Sequence, residues 1–239
     1  MARFNGAEIT WLGHSTFLVK TPQNKVLIFD PWIEQNPSSP PEAKHLTQID
    51  IILVSHGHYD HVSDVEPLAK KFQPQVVTII DLGWWLEKRG VANIVNMDIG
   101  GSVTLDGITI SMTPAIHSSG FDLLTQSVYG GNPVGFIVEL ENGFKLYHAG
   151  DTCLFGDMQL IRDLYQPDVA LLPIGDRLTM GPKGAALATK LLGVKQVIPM
   201  HFATFPIFTG TPAMLREELQ KLQLNDVEVI DLVPGKPSV

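Results

Sequence analysis

Ile51-Ile52-Leu53-Val54-Ser55-His56-Gly57-His58-Tyr59-Asp60-His61 is an apolar run that ends in three imidazoles and a carboxylate within six residues. Core packing does not account for such a set, because these groups avoid burial unless each finds a partner. A metal supplies that partner. Read from the end of a strand, His56 and His58 are two apart and project to the same side, while Asp60 and His61 lie where the chain turns away. Gly57 lets the backbone fold tightly between them. The order His-x-His-x-Asp-His therefore suggests two ions side by side, one on His56 and His58, the other on Asp60 and His61. Imidazole and carboxylate suit zinc best, with iron, manganese, nickel and cobalt also compatible. The competing reading, a polar surface loop, suits a single histidine far better than this density of ligand types.

The 239 residues can form one large α/β domain or two small ones, and 44% hydrophobic with 18% charged residues supports a core rather than disorder. No apolar run approaches the roughly 20 residues a spanning helix needs, and Arg3 leads straight into Asn5, Gly6 and Glu8 rather than into the apolar stretch of a signal peptide. Cys153 is the only cysteine, which excludes an internal disulfide. These features lead to the expectation of a cytoplasmic protein with no membrane span. With 17 basic against 25 acidic residues, the formal charge of -8 opposes sequence-independent contact with nucleic acid. Lys70-Lys71 and Lys88-Arg89 read as solvated helix ends.

Outward from the cluster, residues 8–12, 16–20 and 25–29 read as short antiparallel strands. The proline- and serine-rich residues 34–42 read as a loop at the rim of the site. Strand 49–54 delivers the histidines, and Ser63-x-x-Glu66 resembles a capping box opening a helix to about Phe72. Strand 75–80, helix 82–88 and strand 94–97 continue a parallel pattern. Gly100-Gly101 makes a turn, and strands 102–105 and 108–113 restart a strand-rich pattern around the hairpin signal Asp106-Gly107. Strand 144–148, strand 169–173, a helix from Gly181-Pro182 through Leu192, strand 197–200, residues 215–222 and 227–230 complete the chain.

The His-x-His-x-Asp-His order after an apolar strand resembles the signature of the metallo-β-lactamase superfamily. The stretches Ile9-Thr10-Trp11-Leu12-Gly13-His14-Ser15, His148-Ala149-Gly150-Asp151-Thr152 and Pro173-Ile174-Gly175-Asp176-Arg177 extend the resemblance along most of the chain. They are similar to a branch of metal-dependent hydrolases near the L-ascorbate-6-phosphate lactonases and, more distantly, the phospholipase D acting on N-acyl-phosphatidylethanolamines. The resemblance implies a four-layer αββα sandwich in one domain, 1–239. In it two mixed sheets face each other with helices outside, and pseudo-halves near 1–97 and 102–233 place the metals at the edge where the sheets meet. It also implies the ligand pairing: His56, His58 and His117 on one ion, Asp60, His61 and His201 on the other, and Asp151, after a glycine that allows close approach, on both. An aspartate in the place of Asp30 buttresses the ligands in that family. His148, inside a strand, is expected to pack.

Two such ions, roughly 3.5 to 4 Å apart, share a water, hold it as hydroxide near neutral pH and polarise the oxygen under attack. Asp60 is the expected orienter or proton carrier. In the diiron oxidoreductases of the superfamily the second histidine of the motif is typically glutamate; His58 favours hydrolysis. His14 is a candidate oxyanion stabiliser or proton donor, or else a turn residue capping a backbone group. Asp176 is a further catalytic candidate, and Arg177 a fork for a carboxylate or phosphate or a partner of Asp176. Phe202, Phe205, Ile207 and Phe208, with Phe121, Leu123 and Leu124, read as an apolar wall for a substrate, or as loop packing or a contact between copies. Cys153 reads as a buried free thiol and His45 as exposed. The expected activity is hydrolysis of a small lactone, ester or amide, with a phosphodiesterase and a non-catalytic metal-binding module as alternatives.

Overall fold

Four aliphatic residues in a row are fully buried only inside a sheet covered on both faces, and Ile51–Val54 is buried throughout. The computed structural model describes residues 3–123 and 126–238. It places this strand in a seven-stranded sheet of order Pro237–Ser238, Glu8–Trp11, Phe17–Lys20, Val26–Phe29, Ile51–Val54, Gln75–Ile79, Ile94–Met97. Neighbours are antiparallel through the first four strands and parallel from the fourth to the seventh. The second seven-stranded sheet runs Ser102–Leu105, Ile108–Pro114, Val134–Glu139, Lys145–His148, Val169–Pro173, Gln196–Met200, Glu228–Val229, with the same succession of pairings. Antiparallel and parallel neighbours thus follow in the same order in the two sheets, and the tail Pro237–Ser238 returns to the first sheet.

The sheets face each other over one continuous apolar core. His148 stacks on Phe29 of the opposite sheet, ring centroids 4.9 Å apart and 13° from parallel. Its Nε2 donates to Ser15 O at 3.1 Å and its Nδ1 accepts from Gly150 N at 3.2 Å, which satisfies a fully buried imidazole. The packed role expected of His148 is the one it has.

Most predicted elements recur within a residue or two of their bounds. The capping box does not. Ser63 ends a one-turn helix, Tyr59–Val62, and the next helix, Val65–Phe72, starts after Asp64 with no side-chain cap. The Asp64 carboxylate instead accepts from the backbone N–H of Ile33 and Glu34, pinning the loop that follows Pro31, and Glu66 pairs with Lys70 and Arg89. The buried strand Val134–Glu139 and the amphipathic helix Met158–Tyr165 were not anticipated from the sequence. Of the expected apolar wall, Leu124 and the side chains of Phe121 and Leu123 lie outside the described residues.

Candidate metal centre

His56 follows the strand Ile51–Val54, His117 follows Ile108–Pro114, Asp151 follows Lys145–His148 and His201 follows Gln196–Met200, while Asp60 and His61 sit in the one-turn helix Tyr59–Val62. Strand ends of both sheets thereby converge on one edge. His58 Nδ1 lies 3.0 Å from His56 Nε2 and 3.3 Å from His117 Nε2. Beside this trio, Asp60, His61 and His201 form a second set, joined by His14. Asp151 Oδ2 stands between the two: 4.0 Å from His56 Nε2, 3.5 Å from His117 Nε2, 3.4 Å from His61 Nε2 and 3.0 Å from His201 Nε2.

Two glycines make this approach feasible. Gly150 has φ +61, and a Cβ there would sit 2.5 Å from Val134 O. Its freedom lets the strand end pack against Val134 and Ser55 just before Asp151. A Cβ on Gly175 would lie 2.0 Å from His201 O, so the strand end after Pro173 passes directly against the His201 backbone.

Groups behind the cluster fix the ring orientations. Asp30 Oδ2 accepts from His61 Nδ1 at 2.8 Å and from Ser55 Oγ at 2.6 Å, and Asp30 Oδ1 accepts from Ser55 N at 2.7 Å. With its proton given to Asp30, Ser55 Oγ accepts from His56 Nδ1 at 2.9 Å. With Nδ1 engaged behind them, His56 and His61 turn Nε2 towards the cluster, as orienting partners impose on ligand imidazoles. His14 is fully buried. Its Nε2 donates to Asp60 Oδ2 at 2.9 Å, and its Nδ1 accepts from Thr204 Oγ1 at 2.9 Å. The hydroxyl of Thr204 carried no signal in the sequence. Its proximity to His14, 190 residues away, arises only in the fold.

The electrostatics fit a cation. Burial lowers the affinity of His56, His58 and His117 for protons, and the neighbouring imidazoles lower it further. Burial favours the neutral acid for Asp151, yet His201 and His61 hold it well below the carboxylate range; Asp60 is held down the same way by His61 and His14. His61 is the exception: against burial, the carboxylates of Asp151, Asp60 and Asp30 raise it well above the ordinary imidazole value. The cluster thus favours positive charge at His61, a demand that a bound ion meets by replacing the proton. His61 Nε2, Asp151 Oδ1 and His201 Nδ1 are buried without hydrogen-bond partners, each costing roughly 1–3 kcal/mol. Nitrogens about 2.1 Å from one tetrahedral ion lie about 3.4 Å apart, close to the 3.0 and 3.3 Å of the histidine trio. The residues fit a divalent metal.

Other expected site residues fall elsewhere. Asp176 and Arg177 are exposed, on consecutive positive-φ positions just past Gly175. Asp176 Oδ1 accepts from the backbone N of Arg177 at 2.8 Å, and no ion pair joins their side chains among the described residues. Cys153, expected to be buried, is exposed. Its backbone N–H is held by Ile116 O, while Sγ makes one local contact, to Leu154 O. His45 is exposed as expected.

A family model described as the β-lactamase superfamily domain matches residues 25–202. The chain belongs to the β-lactamase superfamily. Among its superfamily relatives, a UPF0173 metal-dependent hydrolase of Koribacter versatilis is 45% identical over 232 residues, covering 97% of this chain and 96% of the relative. One from Solibacter usitatus is 47% identical over 230 residues, covering 96% and 98%. A metallo hydrolase of Ignicoccus hospitalis, Igni18, superposes with a TM-score of 0.85 at 34% identity and 97% coverage of both chains. This superfamily member is therefore a metal-dependent hydrolase, as the resemblance of its motifs implied. Among its described residues no helix is long and apolar enough to cross a membrane.

Proposed function

We propose that the chain hydrolyses a small lactone, ester or amide at a pair of divalent ions, zinc by preference, with manganese, iron, nickel or cobalt as substitutes. His56, His58 and His117 would hold one ion, Asp60, His61 and His201 the other, and Asp151 both. The observation that carries this reading is the position of Asp151 Oδ2, within 3.0 to 4.0 Å of four imidazole Nε2 atoms drawn from the two sets. Ions bound there would supply Lewis acidity, acidifying water and polarising a carbonyl oxygen.

The chain's own groups divide the remaining work. Asp60, whose Oδ2 is committed to His14 and whose side chain is 29% exposed, keeps Oδ1 for the proton of the attacking water. From there the proton passes to the departing atom. His14 acts through Asp60 rather than on the substrate, because it is fully buried and both its nitrogens are engaged. Asp30 and Ser55 hold His61 and His56 in their presenting tautomers.

A phosphodiester reading draws on Arg177, exposed on the loop that packs through Gly175 against His201. Elemental analysis together with turnover of p-nitrophenyl esters, lactones and bis(p-nitrophenyl) phosphate tests both readings. Two ions per chain with esters or lactones preferred is the expected result. A strong preference for the phosphodiester reverses the order of the two, and active protein without bound transition metal overturns both.

A further inference from the structure

The two flanks of the metal centre differ in chemistry. On the Asp60–His61–His201 side stands an aromatic group: Phe208 packs edge-on to His201 at 4.7 Å, Trp32 lies 5.1 Å from His14, and Phe205 lies 5.9 Å from Phe208 and 6.0 Å from Trp32. Tyr59, the residue before Asp60, closes the set at 6.3 Å from Trp32, and its hydroxyl bonds to Gln35 of the rim loop. Trp32 and Phe208 are buried, but Phe205 is 40% and Tyr59 46% exposed, so their rings present apolar surface beside a polar centre. On the His56–His58–His117 side lies a cavity of about 410 Å³ lined by His117, Ser118, Val128, Tyr129 and Asn132. Its polar groups are uncharged: Ser118 Oγ sits 3.3 Å from His58 Nε2, and Tyr129 OH donates to Asn132 Oδ1 at 2.9 Å.

Among the described residues that line that cavity there is no lysine or arginine. An anionic substituent in that cavity would lose its water without gaining a cationic side chain among the described residues. Asp60, the proton carrier, bonds to His14, whose ring lies 5.1 Å from Trp32, and so stands on the aromatic side. The group that departs with the proton must be within its reach.

We propose that the substrate is an uncharged acyl compound whose leaving group carries an aryl-sized apolar arm, seated on Tyr59 and Phe205, while its acyl side faces the Ser118–Asn132 cavity. This rests on the hydrolase reading above. In the reaction the oxygen of water bonds to the acyl carbon and the bond from that carbon to the leaving oxygen or nitrogen breaks. The proton released by water passes through Asp60 Oδ1 to the departing atom. Phe205 and Tyr59 are then specificity-determining residues.

Benzyl acetate and methyl phenylacetate, isomers that differ in which side of the ester carries the ring, give the test on metal-loaded protein followed by titration of released acid. The expected result is a kcat/KM for benzyl acetate about tenfold or more above that for its isomer, a ratio that Phe205→Ala reduces and Phe205→Leu partly keeps. A carboxylate on the benzyl ring is expected to lower kcat/KM about tenfold. Equal or reversed ratios overturn the proposal, as does a gain from the carboxylate that Arg177→Gln abolishes. Binding of benzyl alcohol, read by saturation-transfer NMR, separates this inference from the hydrolase reading. Binding weakened by Phe205→Ala with neither ester turned over keeps the aromatic subsite and refutes ester hydrolysis, whereas absence of binding refutes the subsite. Concentration-dependent dimerisation abolished by Phe205→Ala would assign the aromatic face to a second copy of the chain and overturn the proposal.

Discussion

His14 and Asp60, 46 residues apart, meet Nε2 to Oδ2 at 2.9 Å, and the same oxygen lies 3.8 Å from His61 Nε2 and 4.0 Å from His201 Nε2. Thr204 locks the far side of the ring, so the imidazole cannot turn away. Both His14 and His201 hold positive φ, at 57° and 55°, a strained backbone that recurs where side chains are held for function. His14→Ala should lower kcat by about 10- to 100-fold, the usual effect of removing a group that orients a metal ligand. His14→Gln, which can still donate to Asp60, should recover part of the loss. A kcat unchanged in His14→Ala would remove the positioning role.

Asp151→Asn tests the shared carboxylate. Its Oδ2 lies near four imidazoles, and an amide carries neither the charge nor the second lone-pair oxygen. Metal content measured by mass spectrometry should fall by more than a single-ligand change such as His117→Ala produces. Equal stoichiometry in the two variants would show that the carboxylate serves only one ion.

Chelation should destabilise the fold, because it returns buried, unpartnered His61 Nε2 and Asp151 Oδ1 to an uncompensated state. A free ion at a thousand times its Kd contributes roughly 4 kcal/mol, which for a chain of this size is about 8–16 °C in Tm. Differential scanning fluorimetry with EDTA, then with added zinc, reads the loss and its recovery.

Acid should weaken the chelated protein. Burial, followed by repulsion from His201, lowers the His14 pKa to about 4 from an ordinary 6.5. Between those values the unfolded chain binds the proton and the folded chain does not. The stability is therefore fully present above pH 6.5 and is lost as pH falls towards 4, with a limit of roughly 3 kcal/mol for this group. His56, His58, His117 and His148 are lowered and act in the same direction. His61 is raised and acts oppositely, its contribution lost as pH rises through its folded value. Urea midpoints at pH 7 and pH 5 should differ in favour of pH 7, and by less in His14→Gln.

Ser55→Ala should cost more than an ordinary hydroxyl. Ser55 Oγ both donates to Asp30 and accepts from His56 Nδ1, so its loss leaves a buried imidazole N–H and a carboxylate oxygen each short of a partner. A destabilisation of about 1–3 kcal/mol, measured by urea unfolding, is expected along with weakened metal binding.

The near part of the site was legible because its residues are neighbours in the chain. A buried strand that ends in a short loop leaves His56, His58, Asp60 and His61 little room to be far apart. The capping box at Ser63 failed because Ser63 closes the preceding turn, the next helix starts one residue later, and Glu66 pairs with Lys70 and Arg89. The burial of Cys153 failed too: its thiol is exposed, while its backbone N–H bonds to Ile116 O. Neither outcome is visible along a single stretch of residues.

The sequence by itself determined that a dense metal-ligand motif ends an apolar strand, and that further histidines and an aspartate end other strands. Spacing constrains reach only over a few residues. That His117 joins His56 and His58, that Asp151 lies between both sets, and that Thr204 and His14 brace Asp60 were decided by tertiary structure. The cause is the register of two seven-stranded sheets packed face to face, which carries strand ends from distant parts of the chain to one common edge.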